Sequence, residues 1–420
     1  MRQALTQRRI VITGLGVIAP NGQDVETFWR SVRDGLSAAD KVTQFDPGDL
    51  PHKVAAEIRD FDPERYLDSK KARRYDKSIK YSIAAASLAV KDAGIRLEHF
   101  EPDRIGIAEG TTVSGFDSLF KAHDTFHRDP QQINPINVVN GYCGEGSSMI
   151  ALELGIQGHA ITYCSGCCSS NDAIGYAMNM IQQDEVDLMV AGGADANLLE
   201  PLWASFASLK VMTRQNDDPK GAMRPFDRRR DGFVLGEGAA FLVLEELTHA
   251  LERKTKIHAE VLAHGRSCEA FHSVDLHPEG IGVYRAMEKA MRRAGLHPSE
   301  IDYINAHGSA TRANDPIETL AIKRFFGEHA YRLAVSSTKP VTGHLMGASG
   351  SLETIICALA LERQEIPPTI NLQEPDERCD LDYVPNRARP YPLRYTMNLN
   401  SGFGGKNSCL ILGRYEPGDA

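Results

Sequence analysis

The order of apolar and polar positions along the chain predicts alternating strands and helices. Short apolar runs, typical of buried strands, occupy residues 9–14, 186–192 and 239–245. A longer stretch over residues 79–94 has helical spacing and ends at Gly94, a residue type that commonly terminates helices. Strands that alternate with helices in this way predict an α/β fold.

The same alternation begins again after Lys256, which predicts two similar halves. A polar helix over about 246–254 precedes Lys256, and the apolar stretch 257–262 starts a new strand. The second half then repeats the pattern, with strands predicted over 301–305 and 333–337 and helices over 283–294, 315–326 and 348–363. Because 420 residues exceed what one hydrophobic core usually supports, we predict one half over 1–255 and another over 256–420.

Composition and charge indicate a soluble protein and disfavour several classes of function. The net charge of −9 and a pI near 5.9 argue against a nucleic-acid-binding surface. The N-terminal residues lack the apolar core of a secretion signal, and no run of about 18 apolar residues occurs, so we expect no membrane partner. The eight cysteines, mostly in apolar surroundings, are typical of reduced thiols in a cytoplasmic enzyme.

One of these cysteines lies in a bend between a strand and a helix. Cys167 follows the strand-like Ala160–Tyr163 and precedes the helix-like stretch 171–181. Unpaired amides and the dipole at a helix N-terminus stabilise a thiolate, so we expect a lowered pKa for Cys167. An amide of the same bend can donate to a thioester oxyanion. The alternatives are an inert buried thiol, and a redox or zinc role because Cys164 completes a C-x-x-C pair, although no second pair accompanies it.

Two histidines lie in bends of similar composition. His307 follows an apolar strand and precedes Gly308, and His344 follows Gly343 in a loop that opens a helix of small residues. A single histidine in such a place is more often a structural group than a catalyst. Two of them are harder to dismiss, because two neutral imidazoles can hold the thioester carbonyl of a malonyl unit and stabilise the enolate formed when carbon dioxide leaves.

Two further segments can support these three side chains. Lys339 and Glu353 flank His344 and can form a buried ion pair that orients it; the alternative is a surface pair of little energetic value. The glycine-rich turn 400–407 contains one aromatic residue, and a backbone amide there can complete an oxyanion hole. A simple β-turn between the last two strands is the alternative for that turn.

Two other patterns suggest binding sites. The Gly-x-Gly that begins at Gly14 resembles a dinucleotide-binding turn, but Ala19 replaces the third glycine, Pro20 follows and no clear helix starts, so we reject that interpretation. A basic run stands out on this acidic protein: Lys70, Lys71, Arg73, Arg74, Lys77 and Lys80. Such a run is usually a solvated helix face, but it can also dock an acidic partner with salt-sensitive affinity.

Taken together, these motifs resemble one family. They are the cysteine bend, Asn-Ala-His-Gly around His307, Ser-Ser-Thr-Lys-x-x-x-Gly-His ending at His344, Arg-Pro-Phe-Asp-x-x-Arg-Asp-Gly-Phe-Val from Arg224, and Gly-Phe-Gly-Gly from Gly402. Together they resemble the β-ketoacyl-acyl carrier protein synthases, and the match runs in chain order from about residue 9 to 413. The likeness is greatest to the elongating synthase II type and to the ketosynthase α subunits of type II polyketide systems.

The resemblance implies a thiolase-like fold, in which two similar α/β halves stack as five layers, α-β-α-β-α. It implies an acyltransferase that condenses malonyl-acyl carrier protein with a cysteine-bound acyl chain, in fatty acid, polyketide or polyene biosynthesis. No metal and no separate cofactor are expected, because phosphopantetheine arrives on the acyl carrier protein. The chain is expected to form a homodimer, or a heterodimer with a chain-length-factor homologue.

Two other classes are less consistent with the motifs. Thiolases that act on coenzyme A esters resemble a Cys-His-Cys site, whereas the third group here is His344. A non-catalytic partner such as a chain-length factor looks like a synthase that has lost its cysteine, whereas Cys167 is present.

The family's catalytic residues correspond to six positions of this chain. The resemblance makes Cys167 the acyl-accepting nucleophile and His307 and His344 the decarboxylation histidines. Lys339 and Glu353 match the supporting pair. It also makes Phe403 the gating aromatic, whose backbone amide shares the oxyanion hole with that of the cysteine.

Binding residues follow from the same correspondence. Ser309 and Thr311 fall where the family contacts the phosphopantetheine arm, and Val274 stands where synthase II enzymes have a pantetheine-contacting threonine. Val113 belongs to a segment that lines the acyl pocket. Three residues fall where the family meets the acidic carrier protein, and we call them the docking patch: Lys70, Arg73 and Arg74.

Overall fold

Strands and helices alternate through residues 8–416, which the computed structural model of the protein describes. The strands are β1 (Ile10–Ile18), β2 (Asp40–Lys41), β3 (Val54–Ala56), β4 (Ile105–Gly110), β5 (Ala160–Tyr163), β6 (Leu188–Asp195), β7 (Leu235–Gly236), β8 (Gly238–Glu246), β9 (Ala259–Cys268), β10 (Tyr303–Asn305), β11 (Ala334–Ser336), β12 (Glu365–Ile366), β13 (Arg389–Pro390), β14 (Tyr395–Gly402) and β15 (Lys406–Gly413). The helices are α1 (Val25–Arg33), α2 (Ser69–Arg74), α3 (Lys77–Asp92), α4 (Phe116–Arg128), α5 (Asn137–Asn140), α6 (Glu145–Leu154), α7 (Ser169–Gln182), α8 (Glu200–Ser208), α9 (Leu247–Glu252), α10 (Ile281–Ala294), α11 (Asn314–Phe326), α12 (Lys339–Thr342) and α13 (Ser349–Arg363).

One large sheet contains the longest strands, in the order β11-β10-β14-β15-β9-β1-β8-β6-β4-β5. Its two halves have the same topology. In the first half, β4 runs parallel to β5 and β6, and β8 runs antiparallel to β6 and β1. In the second half, β10 runs parallel to β11 and β14, and β15 runs antiparallel to β14 and β9. The halves meet where β1 pairs with β9, through Val11 with Glu260 and Ile12 with Ala259.

The helices complete a five-layered, thiolase-like arrangement. Helices α3 and α6 pack on the outer face of the first half, and α10 packs with α11 on the outer face of the second. Helices α7 and α13 pack against each other between the halves and contact strands of both. A buried apolar cluster surrounds this middle layer, and two others lie beneath the outer helices.

The elements predicted from apolar spacing recur with modest shifts at their ends. The stretch predicted as a helix over 348–363 is α13, which begins at Ser349. The stretch predicted as a strand over 9–14 extends to Ile18, because Gly14 and Gly16 allow β1 to continue beneath a helix. A Cβ at Gly14 or Gly16 would lie about 2.2 or 2.0 Å from a backbone oxygen of α3. The Gly-x-Gly motif therefore serves helix–strand packing at this position.

The turn from the first half to the second lies between α9 and β9, at residues 253–258. The boundary predicted after residue 255 lies in this turn and stays a prediction. Among residues 8–416, no helix is long and apolar enough to cross a membrane.

Candidate active site

Three reactive side chains from distant parts of the sequence meet in one buried place. The Cys167 Sγ lies 3.3 Å from the His344 Nε2, and the rings of His307 and His344 are 5.3 Å apart, edge to face. One sulfur or nitrogen atom of each residue lies within 4.8 Å of the others. Their relative exposures are 5%, 4% and 2%, so solvent reaches them only through the adjoining cavity.

The symmetry of the fold explains this convergence. Cys167 lies in the short 3-10 turn Gly166–Cys168, between β5 and α7. His344 lies in the corresponding place of the second half, between β11 and α13, and His307 follows the neighbouring β10. Because α7 and α13 pack together in the middle layer, the bends at their N-terminal ends are brought together.

A cavity of about 110 Å³, which we call the reaction cavity, opens from these side chains. Its lining includes four residues that the resemblance singled out: Val274, Ser309, Thr311 and Phe403. It also includes residues that the sequence interpretation missed, among them Val211, Phe233 and Met346. Val113 is not among the lining residues; its amide instead donates to the Asp195 carboxylate at 3.0 Å. Its assignment to the acyl pocket stays a prediction.

The glycine-rich turn between β14 and β15 lies against the cysteine bend. A Cβ at Gly402 would lie 3.0 Å from the Cys167 backbone nitrogen, closer than most Cβ contacts, so glycine favours this close approach. Phe403 follows directly and lines the reaction cavity. The predicted oxyanion role of its amide fits this proximity and stays a prediction.

The hydrogen bonds of His344 determine which ring nitrogen carries the proton. The backbone amide of Met346 donates to Nδ1 at 3.3 Å, and the Ser349 hydroxyl lies 3.0 Å from the same nitrogen. An amide can only donate, so Nδ1 is the acceptor and the proton of the neutral ring is on Nε2. His344 therefore presents an N–H group to the cysteine and to the reaction cavity.

His307 is held mainly through its backbone. The amides of His307 and Gly308 donate to the Glu318 carboxylate at 2.7 and 2.9 Å. Burial raises the pKa of Glu318 to about 7. The Nδ1 of the His307 ring has no hydrogen-bond partner among residues 8–416. Burial, followed by the charge of Lys339, lowers the pKa of both site imidazoles well below the ordinary value, so both are neutral at pH 7.

The expectation that the bend lowers the pKa of Cys167 is wrong for this substrate-free site. Burial raises that pKa to about 12, with Asp195 and Glu353 adding to the increase and Lys339 opposing it. Desolvation of a thiolate outweighs the helix terminus because the sulfur is enclosed on every side except the cavity. The resting residue is a thiol that receives a hydrogen bond from His344.

The predicted ion pair of Lys339 and Glu353 is present and buried. The Lys339 Nζ lies 2.5 Å from the Glu353 Oε1, and the Asn400 amide donates to Oε2 at 2.7 Å. The pair therefore links α12, α13 and β14. Within residues 8–416, no hydrogen bond joins this pair to the His344 ring, which is oriented by Met346 and Ser349 instead. Lys339 acts on the imidazoles through its charge, which disfavours their protonated forms.

Asp195 is a positioning residue that the sequence interpretation missed. It is fully buried at the end of β6 and accepts hydrogen bonds from Thr111, Thr112 and Val113. It also accepts one from the amide of Gly347 at 2.7 Å, just after the His344 loop. Asp195 thus joins the loop after β4 to the loop that carries His344. No sequence motif pointed to this link, because its partners are mostly backbone amides.

One sulfur and two imidazoles at this spacing also resemble the ligand set of a soft metal ion. The Nε2 proton of His344 and the nearby charge of Lys339 both oppose a bound cation. The expectation of a metal-free site stays a prediction.

The docking patch is exposed on helix α2. Its three side chains have no ion-pair partner among residues 8–416, whereas the neighbouring Lys71 pairs with Glu153 at 2.9 Å. These charges are therefore available to a partner.

The chain is similar to known proteins along almost its whole length. The family model for the N-terminal domain of beta-ketoacyl synthases matches residues 7–250, and that for the C-terminal domain matches residues 258–373. The chain is 41% identical over 411 residues to the 3-oxoacyl-[acyl-carrier-protein] synthase 2 of Coxiella burnetii, covering 98% of this chain and 99% of that protein.

Solved structures show the same architecture. The ishigamide ketosynthase/chain length factor has a chain that superposes with a TM-score of 0.91 at 37% identity, covering 98% of this chain and all (100%) of that one. A type II PKS acyl-carrier protein in complex with its ketosynthase bound to the hexaketide has a chain with a TM-score of 0.91 at 30% identity, covering 98% of this chain and 100% of that one.

Proposed function

Because the chain belongs to the β-ketoacyl synthase family, we propose that Cys167 carries the growing acyl chain and that His307 and His344 stabilise the attacking enolate. The protein is an acyltransferase that condenses malonyl units with acyl chains in fatty acid or polyketide biosynthesis. The single observation that supports the residue roles is the convergence of one sulfur and two imidazoles at the end of one cavity.

In the first step, the Cys167 sulfur attacks an acyl thioester of the carrier protein. The thioester oxygen gains negative charge and accepts hydrogen bonds from backbone amides of the cysteine bend and of Phe403. The tetrahedral intermediate collapses, the acyl–sulfur bond to Cys167 forms and the pantetheine thiolate leaves. The thiol proton of Cys167 passes to that thiolate, so no net proton is consumed. Its raised pKa favours proton transfer during the attack over a preformed thiolate.

In the second step, malonyl-carrier protein occupies the vacated cavity. The bond between the carboxylate and the methylene carbon breaks, carbon dioxide leaves and the electron pair becomes an enolate. The Nε2–H group of His344 and the ring of His307 donate to the enolate oxygen, because both rings are neutral. The enolate carbon attacks the acyl-Cys167 carbonyl, the cysteine thiolate departs, and one proton from solvent restores the thiol.

The partner that delivers both substrates is an acidic acyl carrier protein. The docking patch supports this part of the proposal, because it presents three exposed cations on a chain of net charge −9. The eight cysteines are all free thiols, which supports a reduced, cytoplasmic setting.

The edge strand β5 supports a dimer. It pairs only with β4, so its other edge is free within residues 8–416. Large exposed apolar side chains occur on the adjoining segment, α4 to α6: Leu119, Phe126, Val138, Tyr142 and Leu152. We propose that a second copy, or a chain-length-factor homologue, pairs with this edge. The ketosynthase/chain length factor relative favours the second arrangement.

The residue roles are tested by separating acylation from condensation. The Cys167→Ala variant is expected to give no acyl adduct in intact-mass analysis, and Cys268→Ala, which removes an exposed thiol, is the matched control. The His307→Ala and His344→Ala variants are expected to retain acylation and lose condensation. A persistent adduct on Cys167→Ala contradicts the nucleophile, and equal loss of both steps in the histidine variants contradicts the division of roles.

Assays of the purified chain with acyl- and malonyl-carrier protein distinguish the two kinds of dimer. Turnover by the chain alone supports a homodimer. Turnover only after co-purification with a homologue supports the heterodimer, and a monomer at micromolar concentration in sedimentation contradicts both.

A further inference from the structure

Two exposed histidines lie one above the other on helix α4. His123 and His127 are four positions apart, so the helical period puts their side chains on the same face. Their Nε2 atoms are 3.1 Å apart, and the two rings meet edge to face with their centroids 4.4 Å apart. Both imidazoles therefore bring a nitrogen atom to the same place on the surface of the helix.

The separation of these nitrogens matches that of two ligands on one metal ion. Zinc binds imidazole nitrogen at about 2.0–2.1 Å, so two imidazoles on a tetrahedral zinc ion lie about 3.3 Å apart. At a right angle, as in square-planar or octahedral coordination, the same bond length gives about 2.9 Å. The observed 3.1 Å lies between these two values. Both nitrogens can therefore bind one ion with little movement of the side chains.

The charges around the pair favour a cation. The Nδ1 of His123 lies 3.6 Å from the Asp124 carboxylate, so a proton on Nδ1 faces a negative charge and Nε2 keeps its lone pair. His127 lies in the last turn of α4, where the helix dipole attracts positive charge. Of the adjoining cations, Lys121 is paired with a carboxylate one turn earlier and Arg128 donates to the carbonyl of Asp124 at 3.4 Å.

A hydrogen bond between two neutral rings is the alternative account of the same distance. In that arrangement one Nε2 carries a proton and donates it to the other. Such a bond between exposed rings adds little stability, because water competes for both nitrogens. A metal ion takes the place of the shared proton and binds both lone pairs, so this contact opposes ion binding only weakly.

The pair supplies two protein ligands. Among residues 8–416, the only group of three or more metal-ligating side chains with their ligand atoms close together is Cys167, His307 and His344. Water therefore fills the remaining positions of an ion on α4. Imidazole nitrogens suit transition ions of the zinc, nickel and copper class, whereas magnesium and calcium prefer oxygen ligands.

We propose that His123 and His127 form a surface site for a divalent transition-metal ion of this class. The bound ion links two successive turns at the C-terminal end of α4, next to the exposed Phe126. The inference is independent of the roles proposed for the catalytic residues, and its readouts do not depend on acyl transfer.

Calorimetric titration of the whole chain with zinc chloride and with nickel chloride tests the site. We expect one ion per chain at α4. His123→Gln and His127→Gln should each weaken binding there roughly 100-fold, because a single imidazole lacks the second, tethered ligand. The free thiols and the catalytic side chains also meet the ion, but the variants retain all of them. The difference between the titrations therefore reports the α4 site, and magnesium chloride should show no such difference.

The matched control keeps the composition and changes only the spacing. His127→Arg/Arg128→His exchanges two adjacent residues and places the second imidazole about 140° around the helix from His123. This exchange variant should bind zinc as weakly as His127→Gln. Without metal its unfolding midpoint should equal that of the wild type. At a zinc concentration of about ten times the dissociation constant, the folded-to-unfolded ratio should rise about elevenfold more in the wild type than in the exchange variant.

Three results would overturn the inference. Equal affinity of the wild type and the exchange variant for zinc and nickel would show that the paired spacing is irrelevant. Magnesium that competes as well as nickel would assign binding to carboxylates. One ion per two chains, lost in both glutamine variants, would place the ion between two copies and contradict a site on a single helix.

Discussion

Replacing His344 by glutamine tests whether its ring donates a hydrogen bond or removes a proton. The amide nitrogen of glutamine is as many bonds from Cβ as the His344 Nε2, which lies 3.3 Å from the Cys167 sulfur. His344→Gln therefore retains an N–H donor near the enolate but has no basic nitrogen. His344→Asn places its amide near the position of Nδ1, where the Met346 amide already donates, so it cannot replace the donor.

The magnitude follows from the burial of this donor. Loss of one preorganised donor to a developing oxyanion costs about 2.7–4 kcal/mol, or roughly 100- to 1,000-fold in rate. His344 is 2% exposed, so water does not readily replace its N–H group in the substrate-free site. We expect His344→Ala and His344→Asn to lose condensation by this factor, and His344→Gln to stay within about tenfold of the wild type.

The assay measures single-turnover condensation of a preformed acyl-enzyme with malonyl-carrier protein, with carbon dioxide release followed in parallel. Starting from the acyl-enzyme removes differences in the acylation step. If His344→Gln is as inactive as His344→Ala while both fold and become acylated, the ring acts as a base and the tautomer argument is wrong.

Three further predictions concern charge. Lys339→Met should lower the free energy of unfolding by about 3–5 kcal/mol in denaturant titrations, because it leaves Glu353 buried without its partner. The double variant Lys339→Met/Glu353→Gln should recover most of this loss. Equal destabilisation by the single and the double variant would contradict the prediction. The pKa of His307 is lowered in the folded chain, so below about pH 6.5 the unfolded chain binds a proton that the folded chain does not. The free energy of unfolding of the wild type should therefore fall by about 1.4 kcal/mol relative to that of His307→Gln between pH 7.5 and 5.5. A difference independent of pH would show that the ring titrates normally. Reversing the three charges of the docking patch should raise the KM for carrier-bound substrate and weaken its salt dependence, without changing acylation by pantetheine esters; an equal effect on both substrates would argue for damage to the fold.

The sequence by itself was sufficient to predict the elements and the reactive residues. Apolar spacing predicted most long strands and helices, because buried positions recur about every 2 residues in strands and about every 3.6 residues in helices. Cys167, His307 and His344 stood out because glycine and other small residues frame each of them. The repeated pattern after Lys256 predicted two halves, and the described sheet has two halves of the same topology.

What brings the site together was decided only by tertiary structure. The pairing of α7 with α13 carries the bends of the two halves to one point, and residues 177 positions apart come within 3.3 Å. The protonation states of this site depend on burial, which cannot be read from the local sequence. The bend around Cys167 predicted a lowered pKa, whereas burial raises the pKa of this thiol to about 12. Asp195 was missed for the same reason. Its partners come from segments that are adjacent only in the folded chain.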